Sequence, residues 1–186
     1  MNNERGLTLI ELITTMSILG IMAVTAVPNF TAWKNNYEIR AESDRVHMDL
    51  LSARMSAMKT GSNVVVTFVS AANAYSVLLD TNNNGTANTG ESLSSRTLEN
   101  NVQFGFVGGS VDDMDGTSRS QGVVMGGTDI VTFNPEGQSD LSGVLFLIHN
   151  NHIPEGNDHL RGISVTQATG AAELWQYNSS ITPPWE

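Results

Sequence analysis

The sequence predicts an α+β protein: one long N-terminal helix packed on a C-terminal head built as an antiparallel β-sandwich. Three features carry that expectation. Residues 7–27 are apolar apart from Glu11. Apolar residues then recur at three- and four-residue steps as far as Thr60, the period of a helix face. After Gly61 the texture changes to short β-branched runs separated by Gly, Asn, Asp and Pro, which reads as strands and turns. The 186 residues are enough for one ordinary domain and an extra segment, and too few for two full-sized domains. The expected parts are a polar start at 1–6, an apolar helical half at 7–27, an amphipathic half at 28–60 and a β-rich head at 61–186.

Composition narrows the function classes. There is no cysteine, which removes disulfide frameworks, thiol catalysis and Cys-based zinc sites. The formal net charge is −10. It is unevenly placed: residues 1–60 carry equal numbers of acids and bases, and the head carries only Arg96, Arg119 and Arg161 against the remaining acids. A nucleic-acid surface needs a Lys/Arg patch to displace counterions, so a DNA-binding head is disfavoured.

As a helix, residues 7–27 would span about 31 Å, close to a bilayer core. Glu11 is costly inside an apolar segment, so it either sits at headgroup depth or meets a cation. Pro28 lacks an N–H and should kink or loosen the helix near residues 24–28. Thr14, Thr15, Ser17 and Gly20 are small and would allow close helix contact.

Gly6-Leu7-Thr8-Leu9-Ile10-Glu11-Leu12 resembles the class III signal of type IV pilins and type II secretion pseudopilins. The resemblance implies cleavage between Gly6 and Leu7 by a prepilin peptidase and methylation of the new terminus at Leu7, where the family usually has Phe. It makes residues 1–6 a leader peptide and residues 7–27 a transmembrane anchor in the bacterial inner membrane, with the head in the periplasm. Glu11, Gly20 and Pro28 match the family's N-terminal helix. Glu11 would pair with the terminal amine of a neighbouring subunit during assembly.

Residues 29–60 continue as an amphipathic helix. Phe30, Trp33, Tyr37, Ala41, Met48, Leu51, Met55 and Met58 form the apolar face expected to pack on the sheet, the methionines serving as core filler and not as a cofactor site. Lys59-Thr60-Gly61 reads as the stop. A helix over 7–60 would be about 80 Å long. His47 is placed on or beside the polar face, with no ligand role. Strands are expected at 63–70, 74–79, 92–98, 102–107, 121–125, 129–134, 143–149, 161–167 and 171–177, with a strong turn at Asn134-Pro135-Glu136-Gly137. The Gly-rich stretch 105–127 reads as a long, mobile loop and not as a phosphate cradle.

The order of later motifs is similar to that of GspH/FimT-type minor pseudopilins. Arg40-Ala41-Glu42, Leu50-Leu51-Ser52-Ala53-Arg54, Phe133-Asn134-Pro135-Glu136-Gly137 and Arg161-Gly162-Ile163-Ser164-Val165 carry the likeness. It implies a structural subunit, not an enzyme. Its partners would be the prepilin peptidase, other pilin-like subunits, an inner-membrane assembly platform and, before assembly, membrane lipid. Its work would be to help initiate a type II secretion pseudopilus or type IV pilus. The alternative is a pilus-associated binding module, for example in DNA uptake, against which the acidic head counts.

Two further patterns concern metals. Asp80, Asn82, Asn84, Gly85, Thr86 and Glu91 match the calcium-loop pattern D-x-N-x-N-G-x5-E. Asp80, Asn82, Asn84, the Thr86 carbonyl and both Glu91 oxygens could coordinate Ca2+ weakly, on the order of 10⁻⁴–10⁻³ M. A polar hairpin tip is the plain alternative. No cofactor is required. His149, His152 and His159 are spaced as loose zinc ligands in what reads as an exposed Asn-rich loop. Asp112, Asp113 and Asp115 read as a solvated acidic loop. No spacing singles out catalytic residues.

Overall fold

The computed structural model describes residues 8–186, and the side chains of residues 25–29 lie outside that description. The chain divides into two compact units, residues 1–35 and 36–186. Helix α1 (Leu9–Thr60) contributes to both. The kink expected at Pro28 falls on residues outside the side-chain description, and the helical assignment runs through them.

In the first unit α1 leaves its large apolar side chains, from Leu9 to Val24, exposed. In the second unit the same helix buries one face. Ile39, Val46, Leu50, Ala53 and Ala57 are at most 2% exposed. Their three-, four- and seven-residue spacing keeps them on one stripe, and the two alanines let the backbone approach the sheet. This corrects the expected face. Tyr37, Met48 and Met55 are 62%, 63% and 59% exposed, and Met58 is 43% exposed. Tyr37 and the methionines lie on the outer side, while Ile39, Val46, Leu50 and the two alanines pack. The helix ends where Gly61 takes a left-handed φ of +65° and donates its N–H to the Ala57 carbonyl.

The head contains two main sheets. The first has the order β3-β2-β1-β8, from β1 (Asn63–Val69), β2 (Ala74–Asp80), β3 (Ser92–Thr97) and β8 (Ile130–Phe133). The second runs β11-β10-β9-β4, from β4 (Val102–Phe104), β9 (Gly143–His149), β10 (Arg161–Thr166) and β11 (Ala171–Gln176). Short β7 (Val123–Met125) also pairs with β9. All pairings are antiparallel. The expected strands all form, several shorter by a residue or more.

Strand β9 explains the core's layering. Leu145 and Leu147 point into the main core with Val64, Val66, Phe68, Phe133 and the buried stripe of α1. Val144, Phe146 and Ile148 alternate with them and join Val111, Leu160 and Trp185 in a second cluster. A strand covered on both faces reads as a continuous apolar run, as Val-Leu-Phe-Leu-Ile does here. Gly162 makes room for that second cluster: a Cβ there would lie 2.9 Å from the Trp185 ring.

The 105–127 stretch is more structured than a mobile loop. It holds β7 and a two-stranded ribbon of β5 (Val111–Asp112) and β6 (Ser118–Arg119). The ribbon is tied to the C-terminal tail by the Trp185 Nε1–H bond to the Asp112 carbonyl, 2.7 Å.

Candidate functional site

Gly6 and Leu7, the expected cleavage and methylation positions, lie outside the described residues. The described part of the N-terminal segment begins with a capping box. Thr8 Oγ1 accepts the Glu11 N–H at 3.3 Å, and Glu11 Oε2 accepts the Thr8 N–H at 2.9 Å and its hydroxyl at 2.8 Å. The Thr-x-x-Glu spacing announces this in the sequence, apart from the two placements considered for Glu11, at headgroup depth or against a cation. Both amides belong to peptide bonds beyond the Gly6–Leu7 junction, so the box is independent of the leader. Downstream, the hydroxyls of Thr14, Thr15 and Ser17 bond to carbonyls three or four residues back, at 2.8–3.0 Å. Their polarity is satisfied within the helix, which leaves a small, quiet surface. Nothing lies within 4 Å of a Cβ added at Gly20. Among the described residues no helix is long and apolar enough to cross a membrane. Leu7 and the side chains of residues 25–27 lie outside that set, so the described part of the expected span stops short of its full length.

Side chains along the second half of α1 fasten it to the head by polar contacts. Asp49 accepts the Tyr75 hydroxyl at 2.6 Å and pairs with Arg96 at 2.9 Å. His47 Nε2 meets the Ala172 carbonyl at 2.9 Å. Arg54 Nε–H donates to the Gly137 carbonyl at 2.8 Å, reaching the turn at 134–137. Burial and the Asp49 carboxylate push the Tyr75 phenol well above its ordinary range. These partners are 26 to 125 residues apart, so no local pattern exposes them.

The expected calcium residues do share one loop. Asp80 is 2% exposed and accepts the Asn84 and Gly85 N–H groups. Asn82 and Asn84 accept N–H groups two residues ahead. Glu91 reaches back across the loop: Oε1 accepts from Thr81 and Asn82, and Oε2 from Asn88. Desolvation pushes the Glu91 carboxyl up, but the Asn88 and Thr81 donors together hold it below its usual range. The side-chain oxygens suited to calcium thus serve the loop's own amides.

The acidic loop is not simply solvated. Asp113 is 4% exposed, pairs with Arg119 Nε at 2.5 Å and accepts the Asp115 and Thr117 N–H groups. Desolvation pushes Asp113 up, while the neighbouring Asp113 side chain and the Thr117 donors draw Asp115 down. A cleft of about 570 Å³ beside it is lined by Met114, Arg119, Gly143, Ser164 and Trp175. Its principal polar groups are already committed, Arg119 to Asp113 and the Trp175 indole to Ser164 at 2.9 Å.

The histidines are gathered by a 3₁₀ helix, Asn150–Glu155, between β9 and β10. Rings 149 and 152 lie 5.4 Å apart, and rings 152 and 159 lie 4.3 Å apart. Unlike an exposed loop, this stretch buries His149 completely and leaves His152 only 2% exposed. His149 is fully engaged. Its Nδ1 accepts the Asn151 N–H at 3.1 Å, which places its proton on Nε2, 3.2 Å from Glu38 of α1. Glu155 takes the third position instead, with Oε2 at 3.5 Å from His159 Nε2. Ligand atoms of His152, Glu155 and His159 all lie within 4.8 Å of one another. His152 Nδ1 is buried without a hydrogen-bond partner. Burial, then the neighbouring His159, lower the His152 pKa from its ordinary value.

A long helix with an exposed apolar N-terminal half and one capped carboxylate, set on a two-sheet antiparallel head, defines a pilin-like subunit. The chain belongs to the GspH family of type II transport proteins, whose sequence model matches residues 42–169. A second model, the prokaryotic N-terminal methylation motif, matches residues 1–27. Among solved structures, the type IV minor pilin FimU of Pseudomonas aeruginosa shares the fold. It is 12% identical, aligned over 76% of this chain and 91% of that one, with a TM-score of 0.50. The minor pseudopilin EpsH from the Type 2 Secretion System of Vibrio cholerae is 14% identical over 75% of this chain and 97% of that one, with a TM-score of 0.49. No curated protein matches the chain.

Proposed function

We propose that this chain is a minor pseudopilin that works by packing, not by catalysis. A prepilin peptidase cuts between Gly6 and Leu7, and Leu7 is methylated. The N-terminal half of α1 then holds the subunit in the inner membrane with its head in the periplasm. An assembly platform moves it into a pseudopilus or pilus, where it helps to initiate the filament beside other pilin-like subunits. The observation that supports this most directly is that every large apolar side chain from Leu9 to Val24 is at least half exposed. Such a surface is costly in water and demands lipid or neighbouring helices.

Glu11 has two roles in this scheme. It closes its own helix through Thr8, and it offers a carboxylate to a neighbour's terminal amine, which relieves the cost of an anion in apolar surroundings. Glu11→Val should therefore leave cleavage at Gly6 intact and reduce the subunit's share of sheared filaments several-fold. Normal incorporation of the variant would sink the pairing role. Calcium enters only as an accessory ligand of the 80–91 loop, since Asp80 and Glu91 already satisfy that loop's amides. Saturable binding of ⁴⁵Ca2+ that Glu91→Gln abolishes is the result it requires.

A further inference from the structure

We propose that a ring nitrogen of His152, a carboxylate oxygen of Glu155 and a ring nitrogen of His159 form a site for one zinc-class divalent ion on the head. The residues come together for local reasons. In a 3₁₀ helix, positions i and i+3 eclipse one another, so His152 and Glu155 stand on one side of the turn. His159 reaches that side from the segment leading into β10, and its ring faces that of His152.

The spacing suits a small tetrahedral ion. With metal–ligand distances of about 2.0–2.1 Å, neighbouring ligand atoms stand about 3.4 Å apart. Glu155 and His159 are at 3.5 Å. Closing the remainder of the triangle from within 4.8 Å asks only for a small movement of exposed Glu155 and half-buried His159, with side chains 58% and 36% accessible. His152, the buried member, is held in place.

An independent observation points to a ligand. His152 is 98% buried, yet its Nδ1 has no hydrogen-bond partner. Buried polar atoms are normally satisfied, because leaving one unpaired costs stability. The protein alone does not satisfy this imidazole. Two imidazoles and one carboxylate favour Zn2+ and its neighbours over Ca2+ or Mg2+, which prefer all-oxygen sets. Three protein ligands leave a fourth position for water or for a group from another subunit. Behind the site, His149 packs on the His152 ring and bonds to Glu38 of α1, so the ion would brace the turn against the helix.

The test uses the full chain in detergent, purified without a polyhistidine tag and stripped with chelator. Zn2+ is titrated calorimetrically, and Co2+ replaces it as a visible reporter. One ion per chain is expected, with cobalt absorption of tetrahedral intensity and no competition from Ca2+. Glu155→Gln alters an exposed side chain and His159→Gln a half-buried one, with circular dichroism checking that folding is preserved. Each should weaken Zn2+ binding at least about tenfold, since even outer-shell changes cost 10–100-fold. His152→Gln should abolish binding, with circular dichroism checking its fold. Absence of saturable binding, or binding unchanged in His159→Gln and Glu155→Gln, would overturn the site.

Discussion

The two ends of α1 both belong to one helix and are opposite in use. Both carry apolar residues at helical spacing. From Leu9 to Val24 none of the large apolar side chains is buried. From Ile39 to Ala57 a stripe is buried almost completely against the head. The physical difference lies in the partner each has within the chain. The second half has two sheets to cover its stripe and polar side-chain contacts to fix its position. In the first half, Thr14, Thr15 and Ser17 return their hydroxyls to the helix's own backbone. One helix is thus a core element at one end and an exposed apolar surface at the other.

The strongest way to break this comparison is to shorten equivalent side chains in the two halves. Leu50 is 1% exposed, and removing its isobutyl group leaves a cavity where helix meets sheet. Leu50→Ala should cost about 2–5 kcal/mol. Ile13 is 51% exposed, and Ile13→Ala should leave the head's unfolding midpoint unchanged. Urea unfolding in detergent, followed by tryptophan fluorescence, measures both. Equal losses would mean that the N-terminal half contributes to the same cooperative unit.

The polar fastening offers a smaller effect with a pH signature. Tyr75→Phe removes the hydrogen bond to Asp49 and should cost about 1 kcal/mol at neutral pH. The folded phenol sits above its unfolded value of about 10. Below that pH both states keep the proton and the bond stabilises the fold. Above it the unfolded chain loses the proton first, so stability falls as pH rises. The variant should show a shallower alkaline fall than the wild type, read by denaturant titrations from neutral to strongly alkaline pH. An identical slope would remove Tyr75 from the account.

Much of this architecture was legible in the residues. Short β-branched and apolar runs between turn residues placed every main strand, and Asn134-Pro135-Glu136-Gly137 announced the turn on which Arg54 docks. The illegible parts share one cause: they depend on which partner arrives from elsewhere in the chain. Hydrophobic size suggested that the methionines of α1 face the sheet, but the sheet accepts Val46, Ala53 and Ala57, which permit closer approach. Histidine spacing suggested 149, 152 and 159 as a set. It could not show that Glu38, 111 residues away, occupies His149, or that a 3₁₀ turn brings Glu155 in its place. Asp113 likewise reads as one of a run of acids until Arg119 folds back onto it.

The outer methionine face sharpens the comparison by the smallest effect. Met48 and Met55 lie in the half of α1 that is otherwise committed to the head, yet they face away from it. If the buried stripe alone supports the fold, the double change Met48→Ser and Met55→Ser should shift stability by no more than about 0.5 kcal/mol, as surface substitutions do. In water it should even improve solubility, because an exposed apolar strip favours association. The same double variant should reduce recovery in filaments if this strip continues the packing surface of the N-terminal half. A clear loss of stability without loss of assembly would instead place these methionines in the head's own core, and the division of α1 into an inward and an outward face would fail.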